Sequence, residues 1–195
     1  ERMLLTLKGK KRIAVLTHDN PDPDSIASAL GLATIYQAKL KAKVDIIYGG
    51  YIGRAENRAM IRQLKIDMLH ATRVDWRDYE AIAIVDTQPG SRNHSAPLDR
   101  TIDVVVDHHP LRAETAASPF TDVGGDYGST TTKVVEYLRS TTIPIDEALA
   151  TALYYGLKSD TRDLGRESNP ADFSTYRYLI DKADLPLVSE IEHPQ

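Results

Sequence analysis

Short apolar runs alternate with longer amphipathic segments along most of the chain. Runs rich in β-branched and aliphatic residues are typical of buried strands, and they predict strands at residues 11–17, 44–48, 81–85 and 102–106, with a shorter edge strand at 68–70. Apolar positions three or four residues apart indicate helices, which are predicted at residues 25–40, 55–64, 128–138, 146–158 and 169–180. Buried strands that alternate with helices predict an α/β fold with a mainly parallel sheet and helices on both faces.

The chain is predicted to contain one domain and the start of a linker. Residues 1–10 are predicted to be the end of a helix that runs into a Lys-rich turn, and residues 1–183 are predicted to fold as a unit. Residues 184–195 contain two prolines and are predicted to begin a linker. Because the chain starts at Glu1 rather than Met and ends in this segment, we expect it to be a fragment of a longer protein.

Composition narrows the class of protein. The 195 residues have a formal net charge of −4, so no overall positive field attracts nucleic acid. The chain has no cysteine, which excludes disulfides, thiolate metal sites and cysteine nucleophiles and suits a cytoplasmic protein. No apolar run approaches the ~20 residues of a membrane span, so we expect no membrane partner. Asp outnumbers Glu by 19 to 9, although helix surfaces favour Glu, and this excess indicates turns, caps and ligands.

One stretch, residues 17–25, places an imidazole and three carboxylates where the first strand gives way to the first long helix. Within it, His18, Asp22 and Asp24 have the spacing His-x3-Asp-x-Asp. Imidazole nitrogen and carboxylate oxygen, without sulfur, suit hard or borderline divalent cations. The loop after a parallel strand also lies at the carboxyl edge of the sheet, where open α/β sheets bind ligands. A second interpretation stays open, because Asp22, Asp24 or Ser25 could cap the helix.

Two further predicted strands end in acidic or imidazole side chains. Asp86 follows the third buried strand, and Asp107, His108 and His109 follow the fourth. Parallel strands end at one shared edge, and Asp160 is expected nearby because it ends a helix that returns after the fourth strand. Taken singly, Asp86 is more typical of a cap or turn and Asp160 of a helix end, whereas Asp107, His108 and His109 are equally typical of a hydrogen-bonded, partly buried pair.

The charge of this predicted cluster indicates two metal ions. The carboxylates of Asp22, Asp24, Asp86 and Asp160 repel one another at short range unless cations or protons balance them. Two divalent ions supply the four positive charges. Mixed nitrogen and oxygen ligands suit Mn²⁺, with Mg²⁺, Co²⁺ or Zn²⁺ as competitors. Two such ions about 3.5–4 Å apart activate water and bind a phosphoryl oxygen in phosphoester hydrolysis.

Four segments together resemble the motifs of the DHH phosphoesterase superfamily. In the order expected for that family they are residues 18–25 (HDNPDPDS), 85–87 (VDT), 106–110 (VDHHP) and 159–161 (SDT). The resemblance spans about residues 11–182. The family includes nanoRNases that also act on 3′-phosphoadenosine 5′-phosphate, RecJ-type exonucleases, cyclic dinucleotide phosphodiesterases, polyphosphatases and type II pyrophosphatases. Its members have a second, smaller substrate-binding domain. The resemblance therefore implies that residues 1–183 are a DHH-type catalytic domain and that a substrate-binding domain follows the linker.

The resemblance also implies two metal sites that share two bridging carboxylates. One site would use His18, Asp22, Asp86 and Asp160, and the other would use Asp24, Asp86, His108 and Asp160. Asp107 and His109 are the implied catalytic pair. Asp107 would orient the histidines, which metal sites generally need, and His109 would face the substrate phosphate or the attacking water.

The predicted function is that of a Mn²⁺-dependent phosphoesterase for short oligoribonucleotides or small nucleotides, including 3′-phosphoadenosine 5′-phosphate and cyclic dinucleotides. The low net charge argues against long duplex DNA as a partner. A homodimer is compatible with the sequence, as is a monomer. Hydrolysis of pyrophosphate or polyphosphate is the alternative within the enzymes. A nucleotide-binding regulatory domain without turnover is the alternative outside them.

Arginines near these motifs are candidates for phosphate contacts. Arg162 follows the fourth motif and is a predicted substrate-binding residue, together with His109. Arg54, Arg58 and Arg62 recur every four residues along one helix face, a pattern that is more typical of a solvated surface.

The Gly-rich residues 124–130 precede a predicted helix. Backbone N–H groups at such a helix start could bind an anion. The other interpretation is a plain turn with Ser129 or Thr130 as the helix cap.

Overall fold

A parallel sheet of six strands forms the centre of the fold. The computed structural model describes residues 1–166 and 168–194, and within them the strand order is β3-β2-β1-β4-β5-β6, with every neighbouring pair parallel. The strands are Arg12–Leu16 (β1), Lys43–Tyr48 (β2), Met68–His70 (β3), Ala81–Val85 (β4), Val104–Asp107 (β5) and Phe120–Val123 (β6). The predicted α/β class with a mainly parallel sheet is confirmed, and β3 lies at an edge as predicted.

Helical segments cover both faces of this sheet. The α-helices are Arg2–Thr6 (α1), Pro23–Leu40 (α2), Ala55–Gln63 (α3), Thr130–Ser140 (α4), Glu147–Thr161 (α5), Pro170–Ile180 (α6) and Leu185–Glu192 (α7). They pack on one face in a large apolar cluster. A smaller cluster on the other face comes from the 3-10 helices Ala71–Arg73 and Trp76–Asp78 and from the β4–β5 connection. Within the described ranges, no helix is both long and apolar enough to cross a membrane.

Alternate residues of β1 serve the two faces, as strand geometry requires. Ile13 and Val15 lie in the large cluster, whereas Ala14 and Leu16 lie in the smaller one, and all four are fully buried. Burial on both faces explains why the strands have continuous apolar runs instead of an alternating pattern. Polar functional side chains therefore begin only after Leu16, at the carboxyl edge of the sheet.

The strand β6 was absent from the sequence prediction. It is four residues long and lies at the sheet edge, beside β5. Thr121 is exposed and Asp122 is half-buried, so the segment has no apolar run to identify it. Asp122 instead forms an ion pair of 2.9 Å with the buried Lys133 of α4. This strand therefore forms because it pairs with β5, and not because of an apolar pattern of its own.

Residues 184–195, predicted as the start of a linker, contain the helix α7. Asp184 caps this helix, since its Oδ1 accepts a hydrogen bond from the N–H of Leu187 at 3.0 Å. Val188 and Ile191 are buried in the large apolar cluster. The linker prediction is therefore wrong for the helical part of this segment, because apolar packing continues past residue 183. Gln195 lies outside the described residues, and the predicted further domain stays a prediction.

Candidate metal centre

The loop between β1 and α2, together with the first turn of α2, contributes three candidate ligands. Pro23 starts α2, where the fixed φ of proline suits a first helical position. Asp22 is the N-cap, and its Oδ1 accepts a hydrogen bond from the N–H of Ser25 at 3.0 Å. The capping interpretation is therefore correct for Asp22, but it does not compete with metal binding. An ionised carboxylate has about four acceptor positions, and the cap occupies one of them.

Asp24 is held by the N-terminus of α4. Its two oxygens accept hydrogen bonds from the N–H groups of Thr130 and Thr131, each at 2.8 Å. The partial positive charge of a helix N-terminus stabilises such a carboxylate. The N–H groups that could have bound an external anion thus bind a side chain of the same chain. Ser129 is the cap, as predicted, and accepts from the N–H of Thr132 at 3.2 Å.

Asp86 lies between two imidazoles at the end of β4. Its side chain is buried and its backbone is left-handed, with φ 57°. The Oγ1 of Thr130 donates a hydrogen bond to Asp86 Oδ1 at 2.8 Å. The Nε2 atoms of His18 and His108 each lie 3.6 Å from an Asp86 oxygen, one imidazole on each oxygen. A ligand shared between two cations needs this position.

The three residues at the end of β5 have different surroundings. His108 Nε2 lies 3.4 Å from Asp160 Oδ2 and so faces the carboxylate cluster. Asp107 is buried and accepts hydrogen bonds from His109 Nδ1 and from Gln88 Nε2, each at 2.7 Å. The His109 side chain is 55% exposed, and its ring centroid lies 4.2 Å from that of His108. Asp107 therefore orients His109, and His109 faces the open side of the cluster.

Asp160 reaches the cluster from the last turn of α5. Gly156 lies one turn earlier on the same helix face. A Cβ at Gly156 would lie 2.7 Å from Ala27 Cβ and 3.0 Å from the carbonyl oxygen of Pro23. Because α2 and α5 cross this closely, Asp160 lies beside Asp24, which is on the first turn of α2.

The six side chains predicted as metal ligands all lie at this edge of the sheet. In the described part of the chain, three overlapping groups have their ligand atoms within 4.8 Å of one another: His18, Asp22 and Asp86; Asp24, His108 and Asp160; and Asp86, His108 and His109. The first two groups are the cores of the two ligand sets that the resemblance implies. The shared roles of Asp86 and Asp160 stay predictions.

Backbone carbonyls orient two of the imidazoles. His18 Nδ1 donates to the carbonyl of Asp19 at 2.8 Å, and His108 Nδ1 donates to the carbonyl of Tyr127 at 3.0 Å. Since a carbonyl oxygen only accepts, each neutral ring has its lone pair on Nε2. Those Nε2 atoms face carboxylate oxygens at 3.4–3.6 Å, so acceptor faces acceptor unless a proton or a cation lies between them. The arrangement fits a divalent cation with nitrogen and oxygen ligands.

The pKa values show the same concentration of negative charge. Burial disfavours the charged form of His18, yet Asp22 and Asp86 outweigh burial and raise the pKa of His18 to about 11. Burial, followed by the charge of Asp86, raises the pKa of Asp160 to about 6. Burial and the neighbouring carboxylates also raise the pKa of Asp24. Closely spaced carboxylates retain protons in this way when no cation balances them.

The predicted arginines lie around the cluster and not within it. Arg162 ends α5 in a left-handed conformation with φ 48°, and its side chain is exposed, so a substrate contact stays a prediction. Arg58 donates hydrogen bonds to the carbonyls of Ile52 and Gly53 and so stabilises the loop before α3. Burial raises the pKa of Asp22, but the hydrogen bond and charge of His18 and, more weakly, the charge of Arg54 lower it. The net effect is a lowered pKa for that carboxyl.

Sequence reasoning missed Gln88 as a supporting residue. This side chain is buried and donates to the Pro110 carbonyl at 3.0 Å as well as to Asp107. Its Oε1 accepts from the N–H of Arg112 and from Thr115 Oγ1, each at 2.9 Å. The nearness of Gln88 to Asp86 in sequence was a weak signal, because its partners lie 19 to 27 residues further along the chain.

Adding a methyl group at Gly156 is expected to weaken Mn²⁺ binding. Gly156→Ala would push α5 away from α2 and so separate Asp160 from Asp24. We expect a loss of about 1–3 kcal/mol in the free energy of unfolding, together with weaker binding of Mn²⁺ in calorimetric titrations.

A second helix glycine provides the matched control for this variant. A Cβ at Gly31 would lie 2.4 Å from Val134 Cγ1 in the apolar core. Gly31→Ala is therefore expected to cost a similar amount of stability and to bind Mn²⁺ as the parent does. Equal Mn²⁺ affinity in the parent and in Gly156→Ala would show that the helix crossing does not position Asp160.

Comparison with known proteins identifies similar sequences. The sequence model described as DHH family, N-terminal domain, matches residues 12–157, so Asp160 lies just beyond the matched range. An uncharacterized protein of Methanocaldococcus jannaschii is 38% identical over 187 residues, which are 95% of this chain and 38% of that protein. The cyclic-di-AMP phosphodiesterase GdpP of Bacillus subtilis is 28% identical over 192 residues, which are 91% of this chain and 29% of GdpP.

Two further proteins have more distant similarity. A probable manganese-dependent inorganic pyrophosphatase of Listeria monocytogenes is 23% identical over 147 residues, which are 75% of this chain and 47% of that protein. The crystal structure of an exopolyphosphatase-related protein from Bacteroides fragilis has a TM-score of 0.78 at 18% identity and covers 98% of this chain and 58% of its own. That likeness shows a shared fold. The chain spans less than half the length of each of these three curated relatives.

Proposed function

The chain belongs to the DHH family, and from that premise we propose that it is the catalytic domain of a metal-dependent phosphoesterase. The proposed substrates are short single-stranded oligonucleotides or small nucleotides, whose phosphodiester or phosphomonoester bonds are hydrolysed. One observation carries the proposal: four carboxylates and two imidazoles meet at the carboxyl edge of the sheet, with both imidazole Nε2 atoms turned towards carboxylate oxygens. Such a donor set suits divalent cations.

We assign the ligands to two proposed cation positions. His18, Asp22 and Asp86 would hold one cation, and Asp24, His108 and Asp160 would hold the other, with Asp86 and Asp160 as the proposed shared ligands. Mn²⁺ is the favoured ion, with Mg²⁺, Co²⁺ or Zn²⁺ as competitors. Such cations supply Lewis acidity towards a phosphoryl oxygen and lower the pKa of an attacking water.

His109 and Asp107 are the proposed catalytic pair. Asp107 accepts from His109 Nδ1, so His109 Nε2 is the ring atom left to contact a substrate phosphate. Gln88 supports Asp107 from the buried side, which keeps the imidazole in one orientation. In its protonated form, His109 would donate a hydrogen bond from Nε2 to a phosphate oxygen and then pass that proton to the leaving oxygen, which leaves the ring neutral. Arg162, which is always charged, is proposed to contact the same phosphate.

The relatives support a phosphodiester substrate over pyrophosphate. The similarity to GdpP, named as a cyclic-di-AMP phosphodiesterase, covers more of this chain at higher identity than the similarity to the pyrophosphatase. Hydrolysis of pyrophosphate or polyphosphate is the second candidate, and the names of the Listeria and Bacteroides proteins favour it. Binding of nucleotide without turnover is the third.

A substrate panel on the full-length protein with Mn²⁺ distinguishes these candidates. The panel contains a 5′-phosphorylated dinucleotide, a cyclic dinucleotide, 3′-phosphoadenosine 5′-phosphate, pyrophosphate and polyphosphate. We expect at least one nucleotide ester to react about tenfold or more faster than pyrophosphate, in terms of kcat/KM, because the site discriminates through contacts to the substrate. Asp86→Asn protein, purified in parallel, controls for contaminating phosphatases.

The other outcomes of the panel each favour one alternative. Turnover of pyrophosphate or polyphosphate alone would make the second candidate correct. Metal-dependent nucleotide binding without any product would make the chain a regulatory domain.

A further inference from the structure

A pocket with aromatic and cationic walls lies beside the metal centre. This β2–β3 pocket has a volume of about 570 Å³, and Tyr48, Tyr51, His70, Arg62 and Arg73 are among its lining residues. None of its lining residues is acidic. Its volume lies within the range of small-molecule sites, which is about 300–1,000 Å³.

Hydrogen bonds connect the wall of this pocket to the loop that holds the candidate metal ligands. Asn20, which lies between His18 and Asp22, accepts from the N–H of Tyr51 through its Oδ1 at 2.8 Å. The N–H of Asn20 donates to the carbonyl of Gly49 at 3.0 Å. His70 Nε2 donates to the carbonyl of Gly50 at 3.1 Å on the other side of the pocket. The pocket and the metal loop are therefore positioned together.

The order of the strands sets the distance between the pocket and the metal centre. The pocket lies at the ends of β2 and β3, and His18 follows β1, which is the next strand in the sheet. With about 4.8 Å between neighbouring strands, the end of β3 is about 10 Å from the end of β1. One nucleotide of a dinucleotide can lie in the pocket while the phosphate next to it lies at the metal centre.

The chemistry of the walls suits a nucleotide. Tyr51 is 71% exposed, so most of its side chain is accessible to a base. Tyr48 and His70 contact edge to face, with ring centroids 5.2 Å apart. Nucleobases stack on such rings without much regard to sequence. Arg62 and Arg73 form no ion pair within the described residues, and guanidinium groups bind phosphate in a bidentate manner.

We propose that the β2–β3 pocket binds the base and phosphate of the nucleotide that adjoins the scissile bond. This inference rests on the proposed function and narrows its substrates to phosphodiesters that join two nucleotides. A chain of inorganic phosphates would use the arginines but would gain nothing from Tyr51. The dependence of binding on Tyr51 therefore distinguishes a nucleotide from polyphosphate.

The test measures ligand binding without requiring turnover. The probe is a 5′-phosphorylated adenylyl dinucleotide with a methylenephosphonate linkage, titrated by calorimetry at saturating Mn²⁺, beside the same molecule without the base that enters the pocket. We expect Tyr51→Ala to raise the Kd of the complete probe about 5- to 150-fold, which is the range of base–aromatic stacking. Tyr51→Phe should bind as the parent does, because the ring is retained.

Two controls separate a pocket effect from a general one. Phe173→Ala removes an aromatic ring of α6 that is 51% exposed and is not among the residues that line the pocket, and it should leave the Kd unchanged. The probe without the base should bind Tyr51→Ala and the parent equally. An Arg62→Ala, Arg73→Ala double variant should weaken both probes.

The outcomes for the pocket and for the proposed function are distinct. Equal Kd values for the complete probe in the parent and in Tyr51→Ala would overturn the inference, even if the full-length protein hydrolyses dinucleotides. A loss seen only in the arginine double variant would also overturn it, because the pocket would then bind phosphate alone. If binding depends on Tyr51 but the full-length protein hydrolyses no nucleotide ester, the pocket still binds a nucleotide base and the proposed function fails.

Discussion

Replacing Asp86 by Asn is expected to abolish phosphoesterase activity while the chain stays folded. The change removes a negative charge from the position between His18 and His108 and replaces a carboxylate oxygen with an amide that cannot bind a cation strongly. Loss of a residue that merely supports a metal ligand costs about 10- to 100-fold in affinity or activity. Loss of this central carboxylate is therefore expected to reduce kcat by more than about 100-fold, in steady-state assays of the full-length protein.

Asn is the appropriate substitute because of the backbone at this position. Asp86 has a left-handed conformation, which Asn tolerates and Ala adopts at a greater cost. Asn can also keep the hydrogen bond from Thr130 Oγ1. Asp99→Asn, at an exposed turn, is the matched control for loss of one carboxylate charge. An Asp86→Asn protein with most of its activity, or with two equivalents of bound Mn²⁺, would contradict the proposed shared ligand.

Adding Mn²⁺ is expected to raise the melting temperature of this chain strongly. Only the folded state brings Asp22, Asp24, Asp86 and Asp160 together, so a cation that binds them stabilises folding. At a concentration 100 times Kd, each occupied site contributes about 2.7 kcal/mol. For a chain of this size, that corresponds to a rise of about 5–10 °C per site.

Thermal unfolding followed by circular dichroism checks this expectation. The parent is compared in EDTA, in Mn²⁺ and in Mg²⁺, and calorimetry gives the number of bound ions. We expect two equivalents of Mn²⁺ for the parent and a smaller rise in melting temperature for Asp86→Asn. An identical melting temperature for the parent in EDTA and in Mn²⁺ would mean that this chain by itself does not bind the ion at these residues.

Local patterns were sufficient for most of the secondary structure. The buried strands β1 and β4 and the edge strand β3 were predicted because each is a short run bounded by turn residues. The helix α6 was predicted from Asn169 and Pro170, which form its cap and first turn. The strand β6 was missed because its pairing with β5, and not its own apolar pattern, stabilises it. The helix α7 was taken for a linker because the two prolines of residues 184–195 outweighed the apolar pattern of Val188 and Ile191, which contact the core.

The sequence by itself determined which side chains could serve the chemistry. His18, Asp86 and His108 follow apolar runs, and a parallel sheet brings the ends of such strands to one edge. The four motifs added the order and the identity of the family. These are local signals, because an apolar run and the polar residue after it are adjacent in the chain.

Only the tertiary structure decided how those side chains are held. Thr130 donates hydrogen bonds to Asp24 and Asp86, each more than forty residues away in sequence. Gln88, in the connection between β4 and β5, donates to Asp107 at the end of β5. The crossing at Gly156 sets the approach of Asp160, and the β2–β3 pocket exists because the connection after β2 folds against the metal loop. Such contacts depend on which distant segments pack together, and packing is settled by the burial of the whole core instead of by any short pattern.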